Sequence, residues 1–137
     1  MIKYFVAGDY APVVSTDGSG GIDLFANSIS DDKIHIGTGV HVQIPENHVG
    51  LLLPRSSWGV KGLTLANTCG VIDSDYRGEV KVVRDYHPTK GHLNVKDGDK
   101  IIQMIVVPCV TDISKVDSLE DLNSTDRNDG GFGSTGG

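Results

Sequence analysis

Short segments in which apolar and polar residues alternate recur along the chain, and this period of two residues is typical of half-buried β-strands. In GVHVQIP, Val40, Val42 and Ile44 alternate with polar residues, and a proline ends the run. Other short runs rich in β-branched residues occupy residues 2–6, 49–54, 79–86 and 99–108. The turn signals TDGSGG, HPTKGH and KDGD lie between runs at the spacing of an all-β barrel or sandwich. Because strands do not alternate with helices, the sequence disfavours a parallel α/β sheet.

A single helix is predicted, in the stretch RSSWGVKG. It would span about two turns. Ser56 or Ser57 is the expected N-cap, since a serine hydroxyl can accept from a free backbone N–H of the first turn. Trp58 is expected to pack against the body of the protein.

Composition limits the classes of function. The 137 residues fit one ordinary domain, and 18 glycines indicate turns and close backbone approaches. A net charge of −6 without a dense Lys/Arg block argues against a surface for duplex nucleic acid. No apolar segment approaches the roughly 18 residues of a membrane span, so we expect no membrane partner and a cytoplasmic location. Cys69 and Cys109 lack metal-ligand spacing, and we expect free buried thiols, in keeping with a reducing compartment.

The character of the chain changes after Pro108, where large apolar residues become few and Asp, Ser and Asn become common. We therefore predict a compact β body over residues 1–110 and a C-terminal arm over residues 111–137. The arm ends in RNDGGFGSTGG, which sets one arginine and one phenylalanine among glycines. Composition alone predicts a disordered end, because glycine loses the most backbone freedom on ordering.

Five stretches combine a glycine with groups suited to phosphate, metal or water. They are GGIDLFA (20–26), PRSSWG (54–59), NTCGVIDSDYRGEV (67–80), GDKIIQM (98–104) and RNDGGFGSTGG (127–137).

In PRSSWG, a strand would end at Pro54 and a helix begin, so that Arg55, two serines and free backbone N–H groups converge. Such a helix start with a bidentate cation can hold a phosphate. The alternative is a capped surface helix with a solvated arginine.

Asp73 follows directly after two apolar residues of a buried strand, and the chain then turns into the strand EVKVV. An ionised carboxylate at such a strand end is well placed to accept a proton from water. The alternative is an ordinary Asp-rich turn. Tyr76 could equally be a core or cross-strand aromatic, and Lys81 an outward-facing lysine of the strand.

Asp23 lies between Ile22 and Leu24, a poor place for a charge unless it meets a cation or a donor. A nearby Mg²⁺ is one reading, because that ion is held by one or two carboxylates, waters and substrate phosphates. An outward-facing strand aspartate is the other. Gln103 could be an edge residue or a pocket amide. The five histidines lack ligand spacing, and none is given a catalytic role.

In this order, the five stretches closely resemble the five motifs of the homotrimeric dUTP pyrophosphatases (dUTPases), from about residue 20 to the end of the chain. GVIDSDYRGEV and RNDGGFGSTG are highly specific patterns. The departures are Gly20 where the family usually has Ala, Ile22 where it often has an aromatic residue, and Asn128 where Gly is common. The resemblance implies an all-β, jelly-roll-like dUTPase β-barrel with one short helix and a C-terminal arm.

The resemblance also implies an activity: hydrolysis of dUTP to dUMP and pyrophosphate, which limits uracil in DNA and supplies dUMP for dTTP synthesis. Asp73 would activate the water that attacks the α-phosphorus. Mg²⁺ would be oriented by Asp23 through water. The active sites would lie at the subunit interfaces of the homotrimer.

The residues implied to bind substrate are Arg55, Ser56, Ser57, Asn67, Gly70, Val71, Ile72, Asp73, Tyr76, Lys81, Gln103, Arg127, Phe132, Gly133, Ser134 and Thr135. Those in PRSSWG, with Gln103, would hold the phosphates. Asn67 and the backbone of 70–73 would pair with uracil, and Tyr76 would pack on the deoxyribose. Lys81 is a weaker contact.

The arm would order over the nucleotide, with Arg127 on the phosphates, Phe132 stacked on uracil, and Ser134 and Thr135 near the γ-phosphate. Two other functions remain open. One is a dCTP deaminase of the same superfamily, whose chains lack the DSDYRGEV pattern and the Phe-containing tail. The other is a non-catalytic nucleotide sensor or interaction protein, in which loss of Asp73, Arg55 or the tail would be expected.

Overall fold

The computed structural model describes residues 1–85, 93–134 and 136. Its strands are β1 (Lys3–Val6), β2 (Ile22–Phe25), β3 (Ser28–Ile29), β4 (His35–Gln43), β5 (His48–Pro54), β6 (Gly70–Ile72), β7 (Glu79–Val83) and β8 (Lys100–Pro108). One α-helix, α1 (Ser56–Val60), follows β5, and a 3₁₀ turn covers Leu119–Asp121. All named strand pairs are antiparallel.

The strands form two four-stranded sheets. In the first, β4 pairs with β1, β3 and β7; the second has the order β2-β8-β5-β6. The prediction of an all-β, jelly-roll-like fold with one short helix is confirmed. The expected barrel is not closed, since the described strands stay in two open sheets that share a core.

The core lies between the sheets and follows the alternation in the sequence. Val40 and Val42 are buried, whereas Gln43 is exposed. Each fully buried aliphatic side chain contributes roughly 1.5–3 kcal/mol by leaving water. The fully buried side chains include Leu24, Ile36, Leu52, Leu63, Val80, Ile101, Ile102 and Met104.

A bulge interrupts the pairing of β4 with β7. Gly37 pairs with Lys81 and His41 with Glu79, so three residues of β4 face the single residue Val80. Gly39, in the middle of the bulge, has φ +71°, a left-handed conformation that glycine adopts without steric cost. A Cβ there would lie 2.8 Å from the backbone N of Gly8.

Pro54 leads into α1 as expected, but the helix has only five residues, and Arg55 is its N-cap without a side-chain cap hydrogen bond. The prediction of a serine cap is therefore wrong. Gly62, with φ +101°, follows the helix and prevents its continuation. Trp58 packs against the core as predicted.

Two of the predicted turns are present. Ser19 N–H donates to Thr16 O, and Asp99 N–H donates to Lys96 O. The turn HPTKGH (87–92) lies outside the described residues. Cys69 and Cys109 are free as expected but only half-buried.

The C-terminal residues beyond β8 are largely exposed to solvent. Cys109 N–H donates to Asn47 O, and residues 110–129 are exposed. Among the residues described, no helix is long and apolar enough to cross a membrane.

Candidate functional site

Asp23 is a buried carboxylate with three polar neighbours. Only 6% of the residue is exposed, so the outward-facing alternative is wrong. Its Oδ1 accepts from Arg55 Nε at 2.9 Å, and its Oδ2 accepts from Ser15 Oγ at 2.7 Å. Lys100 Nζ lies 3.7 Å from Oδ2. Two cations and a hydroxyl thus compensate the burial of this charge.

Sheet register brings Gln103 beside Asp23. Gln103 on β8 pairs with Asp23 on β2 and with Leu53 on β5, which places it in the centre of the second sheet rather than at an edge. Its Nε2 donates to Pro54 O at 3.4 Å. A Cβ on Gly21 would lie 2.4 Å from Gln103 Oε1, so the amide occupies space that only a glycine leaves free.

Arg55 joins β5 to α1. Its N–H donates to Ile101 O at 2.9 Å, and its carbonyl accepts the first helical hydrogen bonds, from Trp58 and Gly59. The N–H groups of Ser56 and Ser57 therefore stand ahead of the hydrogen-bonded turn. Both serines are exposed. We call Ser15, Asp23, Arg55, Lys100 and Gln103 the Asp23 cluster.

Sequence reasoning missed two members of this cluster. Lys100 belongs to the candidate stretch GDKIIQM, in which a cation that directly follows Gly-Asp is the signal in the sequence. Ser15 carries no signal in the sequence, because the bridge between Val13 and Asp23 brings its segment to β2.

A second feature is a cleft between β6 and β7, where the two sheets part. Its volume is about 380 Å³. Its lining residues are Leu52, Leu65, Ala66, Asn67, Gly70, Lys81, Val82 and Val83. It therefore contains three of the predicted binding residues, which come from the loop before β6, from β6 and from β7. Lys81 is exposed, with Nζ 3.5 Å from Glu79 Oε2.

The turn 73–78 leaves β6 beside this cleft. Strand β6 pairs with β5 and β7 pairs with β4, so this turn crosses between the sheets instead of closing the expected two-stranded hairpin. Asp73 is exposed, and its carbonyl accepts from Tyr76 N–H at 3.1 Å. Val71 is exposed, and Ile72 is buried.

The described structure separates the predicted site into two groups. Ile72 pairs with Gly50 near the start of β5, whereas Arg55 follows the end of β5. Five residues of strand at about 3.3 Å each put these positions about 17 Å apart. Asp73 lies one residue further away. The Asp23 cluster and Asp73 are therefore at opposite ends of the second sheet.

Within residues 127–134 and 136 of the terminal motif, the hydrogen bonds have partners in the arm itself, and none joins the motif to either group. Arg127 Nε donates to Gly130 O at 2.7 Å, and Phe132 is fully exposed. Asn128, Phe132 and Gly133 have positive φ values of 45°, 48° and 88°. Asparagine adopts this left-handed backbone conformation more readily than most residues, so Asn128 can replace the glycine that is common at this position in the family. Ser134 is exposed, and Thr135 lies outside the described residues.

Over residues 1–85, 93–134 and 136, no group of three or more His, Cys, Asp or Glu could hold a metal ion. Both oxygens of Asp23 already have partners. A single carboxylate with these partners fits a metal ion whose ligands come mainly from substrate and water and which interacts with the protein only through Asp23.

These features define a two-sheet β protein with a cation-bearing carboxylate cluster and a separate cleft lined partly by backbone. The dUTPase family model matches residues 11–136. A deoxyuridine 5′-triphosphate nucleotidohydrolase of Finegoldia magna is 40% identical over 132 residues, covering 91% of this chain and 90% of that protein. The protein of the same name from Hydrogenobaculum sp. is 37% identical over 135 residues, covering 91% and 89%. The chain belongs to the dUTPase family.

Solved structures agree with this fold. The Staphylococcus bacteriophage 80alpha dUTPase with dUPNHPP superimposes with a TM-score of 0.78 at 24% identity, covering 99% of this chain and 98% of that chain. A dUTPase from phage phi11 of S. aureus, described with a structural Mg(II) ion, has a TM-score of 0.69 at 25% identity, covering 88% and 99%.

Proposed function

We propose that this protein is a dUTP diphosphatase, which hydrolyses dUTP to dUMP and pyrophosphate. The observation that carries the proposal is the family match over residues 11–136, which includes every candidate site residue from Asp23 to Thr135. Relatives covering about nine-tenths of the chain bear the name of this activity.

The Asp23 cluster is the proposed triphosphate site. Arg55 is held at Nε by Asp23 and keeps 31% of its side chain exposed, so its guanidinium can meet phosphate oxygens. Ser56 and Ser57 offer hydroxyls and backbone N–H groups ahead of α1, and Gln103 offers its amide. Together these groups would neutralise charge and align the phosphates.

Mg²⁺ is the proposed cofactor. When bound with the triphosphate, it would neutralise phosphate charge and favour an in-line arrangement. Asp23 would orient it through a water molecule. The buried carboxylate fits that indirect role because Arg55 and Ser15 already occupy its two oxygens.

The cleft between β6 and β7 is the proposed uracil site. Asn67 and the backbone of residues 70–73 would pair with the edge of the base. Strand backbone close to C5 would reject thymine, since a methyl group there would clash, and an apolar pocket alone would discriminate only about 10–200-fold. Cytosine presents the opposite donor and acceptor pattern. Lys81 lines the cleft and is a weaker contact.

Asp73 and Tyr76 act beside that cleft in this proposal. Asp73 would take a proton from the water that attacks the α-phosphorus, and the bond from that phosphorus to the bridging oxygen would break as pyrophosphate leaves. Tyr76 would pack on the deoxyribose and exclude a 2′-hydroxyl.

The separation of the two groups supports a site shared between copies of the chain. About 17 Å of strand lies between the positions of Arg55 and Ile72, and an arginine side chain cannot cover that distance. One copy would supply the Asp23 cluster, and another the cleft with Asp73. We propose the homotrimer of the family as the assembly.

The terminal arm completes the proposed site. Residues 1–110 would form the body and residues 111–137 an arm that reaches a neighbouring copy. Arg127 would bind phosphate and Phe132 would stack on uracil, while Gly133, Ser134 and Thr135 would wrap the γ-phosphate. The exposure of residues 110–129 and of Phe132 in a single copy supports this role.

The test is pyrophosphate release from dUTP, dCTP, dTTP and UTP, with and without Mg²⁺. We expect dUTP to be hydrolysed in strong preference, with dependence on Mg²⁺. Ammonia release from dCTP would favour the deaminase, and binding without turnover would favour a sensor.

A further inference from the structure

Tyr76 is fixed in place by the two residues that begin β7. Its hydroxyl donates to Glu79 O at 2.8 Å. Its ring lies against the Cα of Gly78, where an added Cβ would come within 2.4 Å of the hydroxyl oxygen. The position of Tyr76 therefore depends on the backbone at residues 78 and 79.

The side chain of Glu79 fixes that backbone to β4. Its Oε1 accepts from Gly39 N–H at 2.9 Å, in the bulge opposite Val80. A Cβ on Gly37 would lie 2.5 Å from the same oxygen, so the carboxylate occupies the space between two glycines of β4. Gly39 is buried, and its N–H would lack this partner if the carboxylate were removed.

Glu79 thus joins two contacts through one residue: its carbonyl holds Tyr76, and its carboxylate holds the β4 bulge. The remaining carboxylate oxygen is 3.5 Å from Lys81 Nζ, but 64% of the Lys81 side chain is exposed. An exposed pair of this kind is worth little. The hydrogen bond to the buried Gly39 is the stronger constraint, because its acceptor is charged.

We propose that Glu79 is a positioning residue for sugar selection: by tying the start of β7 to the β4 bulge, it holds Tyr76 where the ring excludes a ribose 2′-hydroxyl. The inference rests on the proposed function, because it assigns the selection of deoxyribose to the Tyr76 ring. Glu79 itself touches neither the substrate nor the reacting atoms.

The experiment compares Glu79→Ala, Glu79→Gln and the matched control Glu46→Ala, which changes an exposed glutamate. For each, kcat and KM are measured with dUTP and UTP. We expect Glu79→Ala to lower the preference for dUTP over UTP about tenfold, mainly through KM, with kcat for dUTP changed less than about threefold. Glu79→Gln keeps a neutral oxygen acceptor for Gly39 N–H and should lose less of this preference than Glu79→Ala, whereas Glu46→Ala should stay near wild type.

A second set of variants covers the case in which Glu79→Ala does not fold. Gly78→Ala pushes the ring away without touching the bulge, and Tyr76→Phe removes the hydroxyl. Both should lower the preference for dUTP over UTP. In the double variant Tyr76→Phe/Glu79→Ala, the loss of this preference, expressed as a free energy, should be smaller than the sum of the losses in the two single variants. A reduced Tm with an unchanged dUTP preference in Glu79→Ala would overturn the proposal, as would unchanged preference in Gly78→Ala and Tyr76→Phe.

Failure of the proposed function would be seen separately. It would appear as wild-type protein that releases no pyrophosphate from dUTP. In that case, calorimetric binding of a non-hydrolysable dUTP analogue and its UTP counterpart provides the same comparison without turnover. Equal binding ratios in wild type and Glu79→Ala would contradict the role of Glu79.

Discussion

Arg55 Nε and Asp23 Oδ1 lie 2.9 Å apart, and this pair joins the end of β5 to a strand two positions away in the same sheet. The Asp23 side chain is 9% exposed and that of Arg55 31%. The carboxylate therefore orients the guanidinium from the buried side, Nη1 donates to Lys100 O at 3.5 Å, and the exposed part of the group remains available for phosphate. Fixing the cation in advance lowers the entropic cost of aligning the triphosphate.

We expect Arg55→Lys to lower kcat/KM for dUTP about 100-fold, since lysine cannot contact Asp23 and a phosphate with one planar group. Steady-state pyrophosphate release measures the change, with thermal unfolding as a check on folding. Lys61→Met is the matched control, because Lys61 is an exposed cation that lies over Trp58 at the end of α1. Wild-type activity in Arg55→Lys would mean that positive charge at residue 55 is sufficient and that the planar contact with Asp23 is not needed, whereas a similar loss in Lys61→Met would mean that the effect is not specific to residue 55.

Gly21→Ala should weaken phosphate binding through Gln103. The new methyl would lie 2.4 Å from Gln103 Oε1, so the amide must leave its place near Pro54 O. We expect KM for dUTP to rise about tenfold. Gly20→Ala is the control, since a Cβ there meets nothing within 4 Å. The role of Gln103 would be contradicted if both variants kept the wild-type KM.

Mixing two inactive variants tests whether sites are shared between copies. Arg55→Ala lacks the phosphate cation and Asp73→Asn lacks the proposed base, and each alone should lower turnover by orders of magnitude. Asp73→Asn should still bind nucleotide. When the two are refolded together in equal amounts, about a quarter of shared sites would combine intact halves. No recovery of pyrophosphate release would indicate a site built within one copy.

The sequence predicts the strand positions, the all-β class and the five candidate stretches. The alternation of apolar and polar residues and the glycine-containing turns between strands are local signals. The distance between Arg55 and Asp73 could not be predicted, since it depends on the register of β5 with β6. The same holds for the partner of Glu79: nothing near GEV indicates that its carboxylate meets a bulge 40 residues earlier. The predicted serine cap was wrong because Arg55 occupies the cap position and turns towards Asp23.

The contribution of Asp32, in the connection between β3 and β4, to the free energy of unfolding should depend on pH. A hydrogen bond from the Ser30 hydroxyl, followed by one from Ile34 N–H, lowers the pKa of Asp32 from its ordinary value of 3.8. A lowered native pKa stabilises the fold above pH 3.8, and the contribution is lost as pH falls through the native pKa. The difference in the free energy of unfolding between wild type and Asp32→Asn, measured by urea denaturation, should therefore shrink as the pH falls through the native pKa of Asp32. A constant difference would assign the effect to the hydrogen bonds alone.

Deleting residues 127–137 should leave the body folded and remove most of the activity. The hydrogen bonds of Arg127, Gly130 and Ser134 are local to the arm, and Phe132 is fully exposed, so thermal unfolding should hardly change. If the arm orders over bound nucleotide, its loss removes phosphate and stacking contacts, and kcat/KM should fall at least about 100-fold. Phe132→Ala should lower kcat/KM about tenfold. Phe132→Trp should lower it much less, since a larger aromatic ring can still stack on uracil. Full activity after the deletion would show that the terminal motif takes no part in hydrolysis.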